Sequence, residues 1–177
     1  MSVLEGTHGT TRSRAENIKR KGFRKSQGIY GPGIYFWRKF RYAEYLAEGW
    51  YKFYLNERSV FREDKDKRFA LILVKINLRE EEFFDFEDFT VQKRLAELVF
   101  SQKIEGDKKK IAQLYRLYLE VVEKEEAVKF KTFQVRVPLP RRSRYFPEYP
   151  IQAIGNPYCI VCLEPSRIEI LEREGES

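Results

Sequence analysis

Apolar residues along the chain recur with two different spacings, and blocks of each spacing alternate. Short runs rich in β-branched and aromatic residues predict strands, and they cover 3–7, 34–36, 68–78, 130–137, 158–163 and 168–171. The run from Phe69 to Val74 is continuously apolar, which is typical of a central strand buried on both faces. Because helical segments lie between these strands, the pattern predicts a chain that contains both helices and strands.

Helical spacing appears in three places. Ser13 followed by Glu16 has the pattern of a capping box and predicts a short helix that ends at Gly22. A longer helix is predicted from Lys39 to Tyr54. Between about 90 and 128, two apolar stripes predict a pair of packed helices. The remaining segments are polar or rich in proline and predict turns and loops at 56–67, 80–89 and 138–157.

Composition is that of a single globular domain. The chain has 177 residues, 42% of them hydrophobic and 15% aromatic, and we therefore treat 1–177 as one domain with a proper core. Glu, Lys and Arg are abundant while Met and Cys are few, a bias typical of thermophilic proteins. No apolar stretch approaches the ~20 residues of a membrane span, and the first residues lack the features of a signal peptide. We expect a cytoplasmic protein that does not contact a membrane.

Two cysteines form a C-x-x-C pattern at Cys159 and Cys162. The residues between them, Ile160 and Val161, are strand formers and do not favour a redox turn. There is no second cysteine pair and only one histidine, so we expect two strand cysteines and no metal site.

The formal net charge is +7 and the isoelectric point about 9.3. Basic runs at 19–21, 108–110 and 141–144 favour an anionic partner, such as a nucleic acid or a phosphorylated substrate. The same runs are typical of a solvated surface, and acidic runs at 79–88 and 120–126 show that the charge is mixed. Charge alone leaves both interpretations open.

The candidate chemistry begins in a glycine-rich turn. Gly31 and Gly33 precede a strand that contains Tyr35, and two glycines beside a strand let the backbone approach another group closely. Tyr45 follows on the next predicted helix. The two tyrosines are expected to face each other across a slot of aromatic-ring width, which suits a flat heterocycle.

The only histidine, His8, lies between a predicted strand and a predicted helix, followed by Gly9 and Thr10. A neutral imidazole at this place is suited to donate to a ribose hydroxyl. The bare backbone of Gly9 is suited to pair with a carboxamide through one N–H and one C=O. These groups predict a nucleotide-binding site.

Four features follow one another over roughly residues 4 to 50. They are His8-Gly9-Thr10, a helix that ends in Gly-Phe, the stretch Gly-x-Gly-Ile-Tyr-Phe, and an aromatic helix. This order resembles the NAD-binding half of ADP-ribosyltransferases of the poly(ADP-ribose) polymerase or diphtheria-toxin type, which use a His-Tyr-Glu triad. The resemblance implies an ADP-ribosyltransferase-like α+β fold. Its expected parts are a split mixed or antiparallel sheet, flanking helices and a helical insertion at about 90–128.

The resemblance also implies roles for individual residues. His8 matches the histidine that holds ribose hydroxyls, and Gly9 the glycine whose backbone grips the nicotinamide amide. Tyr35 and Tyr45 match the two tyrosines that stack on nicotinamide, and Tyr42 takes the place of a family serine that also binds the amide. The expected residues for binding NAD, which is a substrate here, are therefore His8, Gly9, Thr10, Gly33, Tyr35, Tyr42 and Tyr45.

The third triad position has no evident carboxylate. Two ways of matching the late strand place Tyr158 or Cys159 where the family has a glutamate, which steadies the positive charge that forms as nicotinamide leaves. Glu148, in the preceding loop, is the candidate substitute. The expected catalytic residues are thus His8, Tyr35 and Glu148.

The implied activity is mono-ADP-ribosyl transfer from NAD to a protein or nucleic-acid acceptor, with release of nicotinamide. Three alternatives remain: a catalytically inactive NAD or ADP-ribose binder of the same fold, an RNA 2′-phosphotransferase-like enzyme, and a nucleic-acid-binding module without a nucleotide site. The phosphotransferase activity resembles sites with further His and Arg residues. A module that only binds nucleic acid leaves the glycines and tyrosines unexplained.

Overall fold

A computed structural model describes residues 2–104, 108–140 and 144–171. The arginines of the basic run at 141–142 and the predicted helix break at Gly106 lie outside this part of the chain. Within it the protein is a mixed α+β structure with eight strands and five helices. The strands are β1 Ser2–Thr11, β2 Ser26–Gly28, β3 Gly31–Arg38, β4 Phe69–Leu78, β5 Phe83–Asp85, β6 Thr132–Arg136, β7 Tyr158–Cys162 and β8 Ile168–Leu171.

The strands form one sheet in the order β5-β6-β7-β3-β1-β4-β8, and β2 pairs with β3 beside this path. β5 and β6 run parallel. The other neighbouring strands are antiparallel. The predicted strands are therefore confirmed as elements of a single mixed sheet, with β3 and β1 at its centre.

The helices are α1 Arg12–Lys21, α2 Ala43–Glu57, α3 Phe89–Ser101, α4 Lys108–Glu125 and α5 Ile151–Ile154, with short 3-10 turns at Glu80–Glu82 and Pro165–Arg167. The pair expected between about 90 and 128 is confirmed as α3 and α4. α1 does end before Gly22. Its predicted capping box is wrong, because Thr11 is the N-cap and its hydroxyl accepts from the Arg14 N–H. Ser13 lies inside the helix and donates to the Asp66 carbonyl at 2.9 Å.

Two hydrophobic cores lie on opposite faces of the sheet. One joins α2, α3 and α4 to the sheet through residues such as Leu46, Leu95 and Val161. The other lies under α1 and includes Ala15, Phe36 and Ile160. Residues on one strand thus alternate between the two cores, as the pleat requires.

β4 is central, as predicted, because it pairs with both β1 and β8. The prediction that both of its faces are buried is wrong. Ile72, Val74 and Ile76 are buried on the α1 face, whereas Leu73 on the opposite face is half-buried and Asn77 is exposed. The opposite face remains partly open, so a continuously apolar run here does not mean burial on both sides.

Both cysteines are free and buried in β7, as expected. They belong to different cores, so their side chains point to opposite faces of the sheet. None of the described helices is long and apolar enough to cross a membrane.

Candidate nucleotide site

The sheet opens between its two central strands. β1 pairs with β4 along its whole length, from Ser2 to Thr11. Its pairing with β3 covers only Gly6 with Arg38 and Thr7 with Trp37. Beyond Thr7 the β1–β3 ladder stops although both strands continue.

The backbone hydrogen-bonding groups of β1 have a known direction where the ladder stops. The Lys39 N–H donates to the Glu5 carbonyl at 2.9 Å, so Glu5 points its backbone groups toward β3. Because these groups alternate along an antiparallel strand, Thr7 and Gly9 point the same way. Gly9 therefore presents one donor and one acceptor toward the interval where pairing with β3 has stopped.

His8 bridges this interval with its side chain. Its Nδ1 lies 3.1 Å from the Tyr35 carbonyl oxygen. A carbonyl only accepts, so Nδ1 carries the hydrogen in this contact and Nε2 of the neutral ring is left as an acceptor. The expectation that His8 donates to a ribose hydroxyl is thereby reversed: the neutral ring would accept from one.

The surroundings of His8 keep its ring neutral. Phe23 and Phe36 contact it edge-on, with ring centroids 5.5 and 5.9 Å away. Burial lowers the pKa of His8 from its ordinary value of 6.5. The imidazole is therefore uncharged at neutral pH.

Gly9 is held against α2. A Cβ at this position would lie 2.2 Å from the Ala47 carbonyl oxygen and 2.7 Å from the carbonyl carbon. Two residues earlier, the Thr7 hydroxyl donates to the Ala43 carbonyl at 3.1 Å. The helix backbone thus lies directly on the strand, and only glycine fits at position 9.

Tyr35 is anchored by the hairpin that precedes it. Its hydroxyl donates to the Gly31 carbonyl at 2.7 Å and accepts from the Tyr30 N–H at 3.2 Å. The ring covers the backbone of Gly28, where a Cβ would lie 2.1 Å from Cζ of Tyr35. Burial raises the pKa of the Tyr35 phenol well above its ordinary value. The phenol is therefore neutral and its ring is fixed on the hairpin, while the Tyr35 backbone carbonyl faces His8.

Two of the expected binding residues are turned toward the protein interior. A Cβ on Gly33 would lie 2.5 Å from Cγ1 of Val161, so this glycine is needed for packing of β3 on β7. Thr10 pairs with Ala70 of β4, and its side chain is buried.

Tyr45 lies in a different aromatic group from Tyr35. Its hydroxyl accepts from the Glu148 N–H at 3.0 Å, and its ring contacts Tyr42 and Phe146. Among the described residues Tyr35 and Tyr45 make no ring contact with each other. The predicted slot with these two rings as its walls therefore stays a prediction, while His8 and Tyr35 are brought together.

Two tryptophans line the α2 side of β3, and the sequence pattern assigns them no role. Trp37 and Trp50 stack with their ring centroids 5.9 Å apart. The Trp50 Nε1 is buried and has no hydrogen-bond partner among the described residues. One feature of the sequence indicates that Trp37 lies on the same face of the strand as Tyr35: it follows Tyr35 by two residues.

The candidates for the third triad position have distinct environments. The Tyr158 hydroxyl accepts from Nη2 of Arg136 at 2.7 Å, and Arg136 in turn pairs with Glu87. Cys159 is buried in the core, and burial raises its pKa to about 12. Glu148 is exposed, and its backbone is bonded to Tyr45. Of the three, Glu148 alone offers a carboxylate.

No protein-family model, curated protein or solved structure matches the chain. In the described ranges 2–104, 108–140 and 144–171, no group of three or more His, Cys, Asp or Glu side chains is arranged to hold a metal ion.

Proposed function

We propose that the protein is an NAD-dependent mono-ADP-ribosyltransferase whose nicotinamide site is the opening between β1 and β3. The observation that carries this proposal is the end of the β1–β3 ladder at Thr7. It leaves the Gly9 N–H and C=O directed at a gap that His8 and Tyr35 border. A primary carboxamide needs one acceptor and one donor, and Gly9 supplies both.

The neighbouring groups are suited to the rest of the nucleoside. Nε2 of neutral His8 is available to accept from a ribose hydroxyl. The Tyr35 ring is fixed by two hydrogen bonds, so it can border a planar pyridine ring without losing further side-chain freedom. In this arrangement the nicotinamide and its ribose are oriented before any bond breaks.

The proposed reaction breaks the bond between the nicotinamide nitrogen and C1 of the ribose. The electron pair leaves with nicotinamide, and positive charge develops on the sugar. A nucleophilic oxygen or nitrogen of the acceptor then bonds to C1 and loses its proton. Glu148, tied to Tyr45 through its backbone, is the carboxylate proposed to stabilise the positive charge.

The first experiment measures nicotinamide release from labelled NAD by the wild-type protein, His8→Ala and Tyr35→Ala. Release by the wild type and its loss in both variants would support the proposal. If no protein of the three releases nicotinamide, the transferase proposal is wrong.

Glu148→Gln is expected to lower the rate of nicotinamide release by about 10²-fold or more, since it removes the negative charge and keeps the shape. The affinity for NAD is expected to change little. Glu126→Gln, an exposed glutamate that follows α4, is the control and should retain the wild-type rate. Equal rates for Glu148→Gln and the control would exclude Glu148 as the third catalytic residue.

A second candidate function is NAD or ADP-ribose binding without turnover. The contact between Tyr158 and Arg136 favours it, because one of the two expected glutamate positions holds a phenol beside a guanidinium. A cation there would oppose positive charge on the sugar. Calorimetric binding of NAD without nicotinamide release would select this function, and absence of binding would exclude both.

A further inference from the structure

A cluster of cations lies at the end of α1 and in the loop that follows. Its members are all exposed, and they are Lys19, Arg20, Lys21, Arg24 and Lys25. Five positive charges within seven residues repel one another, and this repulsion destabilises the folded protein unless something offsets it. We name this group the basic cluster.

The basic cluster has no acidic partner in the described part of the chain. The ion pairs found there involve other residues. Arg20 donates only to the neutral side chain of Asn17, at 3.5 Å. The carbonyl end of α1 favours nearby cations, but it accounts for the residues of the last turn and not for Arg24 and Lys25.

The basic cluster lies beside the proposed nicotinamide site. Phe23, between the two halves of the cluster, contacts the His8 ring at 5.5 Å. Arg24 thus directly follows the residue that packs on the His8 ring. This position is suited to an acceptor.

The basic cluster also continues into a groove of about 660 Å³ between the β2–β3 hairpin and α4. Lys25 and Arg116 line it, together with the half-buried ring of Tyr30. The Arg116 side chain lies on the backbone of Gly31, where a Cβ would come within 2.7 Å of its Cδ. The groove thus holds two cations and an aromatic ring near its hairpin wall.

Acidic residues in the same groove are mostly neutralised. Glu123 pairs with Lys129, and Glu164 pairs with Lys131. Glu120 is the acidic lining residue that has no ion pair in the described part of the chain. Two cations, Lys25 and Arg116, therefore remain against one acidic residue among the unpaired charges that line the groove.

We propose that the basic cluster and this groove form a docking surface for single-stranded nucleic acid. Its phosphates would lie on the cations of the cluster and a base would enter the groove beside Tyr30, a combination typical of single-strand binding. The cations lie at a helix end and in a loop, not along one helix face that could enter a duplex groove. Use of this strand as the ADP-ribose acceptor rests on the proposed transferase function.

The test measures binding of labelled oligothymidylate and oligouridylate to the full chain by fluorescence anisotropy, without NAD, at about 50 to 200 mM salt. The patch variant carries Arg24→Gln and Lys25→Gln. The matched control carries Lys93→Gln and Arg94→Gln on α3, which removes the same charge from exposed residues outside both the basic cluster and the lining of the groove. The oligothymidylate and oligouridylate arms distinguish DNA from RNA.

The wild-type affinity is expected to fall as salt rises. The patch variant should bind more weakly than the control at every salt concentration. Its slope of log affinity against log salt should be shallower by about 0.7 for each phosphate that no longer meets a cation, or about 1.4 for the pair. Circular dichroism of both variants checks that they fold.

Three results would overturn the proposal. The first is no binding of either oligonucleotide, and the second is an equal loss of affinity in patch and control variants. The third is equally tight binding of polyglutamate or of anionic vesicles, which would indicate an acidic protein or a membrane surface. Since NAD is absent from the assay, failure here leaves nicotinamide release untouched, and the two proposals fail separately.

Discussion

Replacing Gly9 by alanine is expected to destabilise the protein more than any other single substitution considered. The new Cβ would lie 2.2 Å from the Ala47 carbonyl oxygen, and this atom belongs to a helix backbone that cannot rotate away. Overpacking in a well-packed interior costs about 1–3 kcal/mol when side chains adjust. We expect Gly9→Ala to lower the free energy of unfolding by at least this much.

Chemical denaturation of Gly9→Ala measures the effect. Val3→Ala is the control on the same strand, and because Val3 is exposed its change should stay within about 0.5 kcal/mol. The double variant Gly9→Ala with Ala47→Gly should be no more stable than Gly9→Ala, since the contact is with backbone atoms. If Gly9→Ala has the same free energy of unfolding as the wild type, α2 does not lie on β1 as described.

The second expected result concerns His8 and pH. Because burial lowers its pKa in the folded protein, the unfolded chain takes up a proton that the folded chain does not as the pH falls through 6.5. The stability contributed by neutral His8 is therefore complete above pH 6.5 and lost below it. Each unit by which folding lowers the pKa is worth about 1.4 kcal/mol.

The measurement compares the free energy of unfolding of wild type and His8→Asn between about pH 7.5 and 5. Asparagine keeps a donor for the Tyr35 carbonyl and does not titrate. Carboxylates with lowered pKa, such as Glu5 and Glu164, also weaken the fold in acid, but they do so in both proteins. The wild type should lose more stability than the variant. Parallel curves would contradict a His8 ring that the fold keeps neutral.

The sequence predicts the strands and the helical pair well, because their signals are local. Alternation or continuous apolarity is enough to locate β4 and β7. Whether the second face of β4 is covered depends on how far α2 extends over the sheet. The predicted start of α1 is wrong for a different reason. Thr11 and Ser13 both have side chains that cap helices, and the sequence does not show which of them does so.

Parts of the candidate site are also accessible from local pattern. His8, Gly9 and Tyr35 stand out in the sequence as a group, and the structure brings them to one opening. The direction of the His8 hydrogen bond is not accessible, because it depends on a carbonyl 27 positions away in the chain. Likewise the contact of Tyr45 with Glu148 joins residues from distant segments. The spacing of apolar residues along the chain does not predict such a contact.

The most direct test uses the single histidine of the chain. Selectively labelled histidine gives one imidazole signal, so its NMR spectrum during a titration with NAD reports on His8 alone. If NAD binds where we propose, the signal shifts saturably while the ring stays neutral, and Tyr35→Ala removes the shift. An unchanged His8 signal at saturating NAD would contradict a nicotinamide site between β1 and β3.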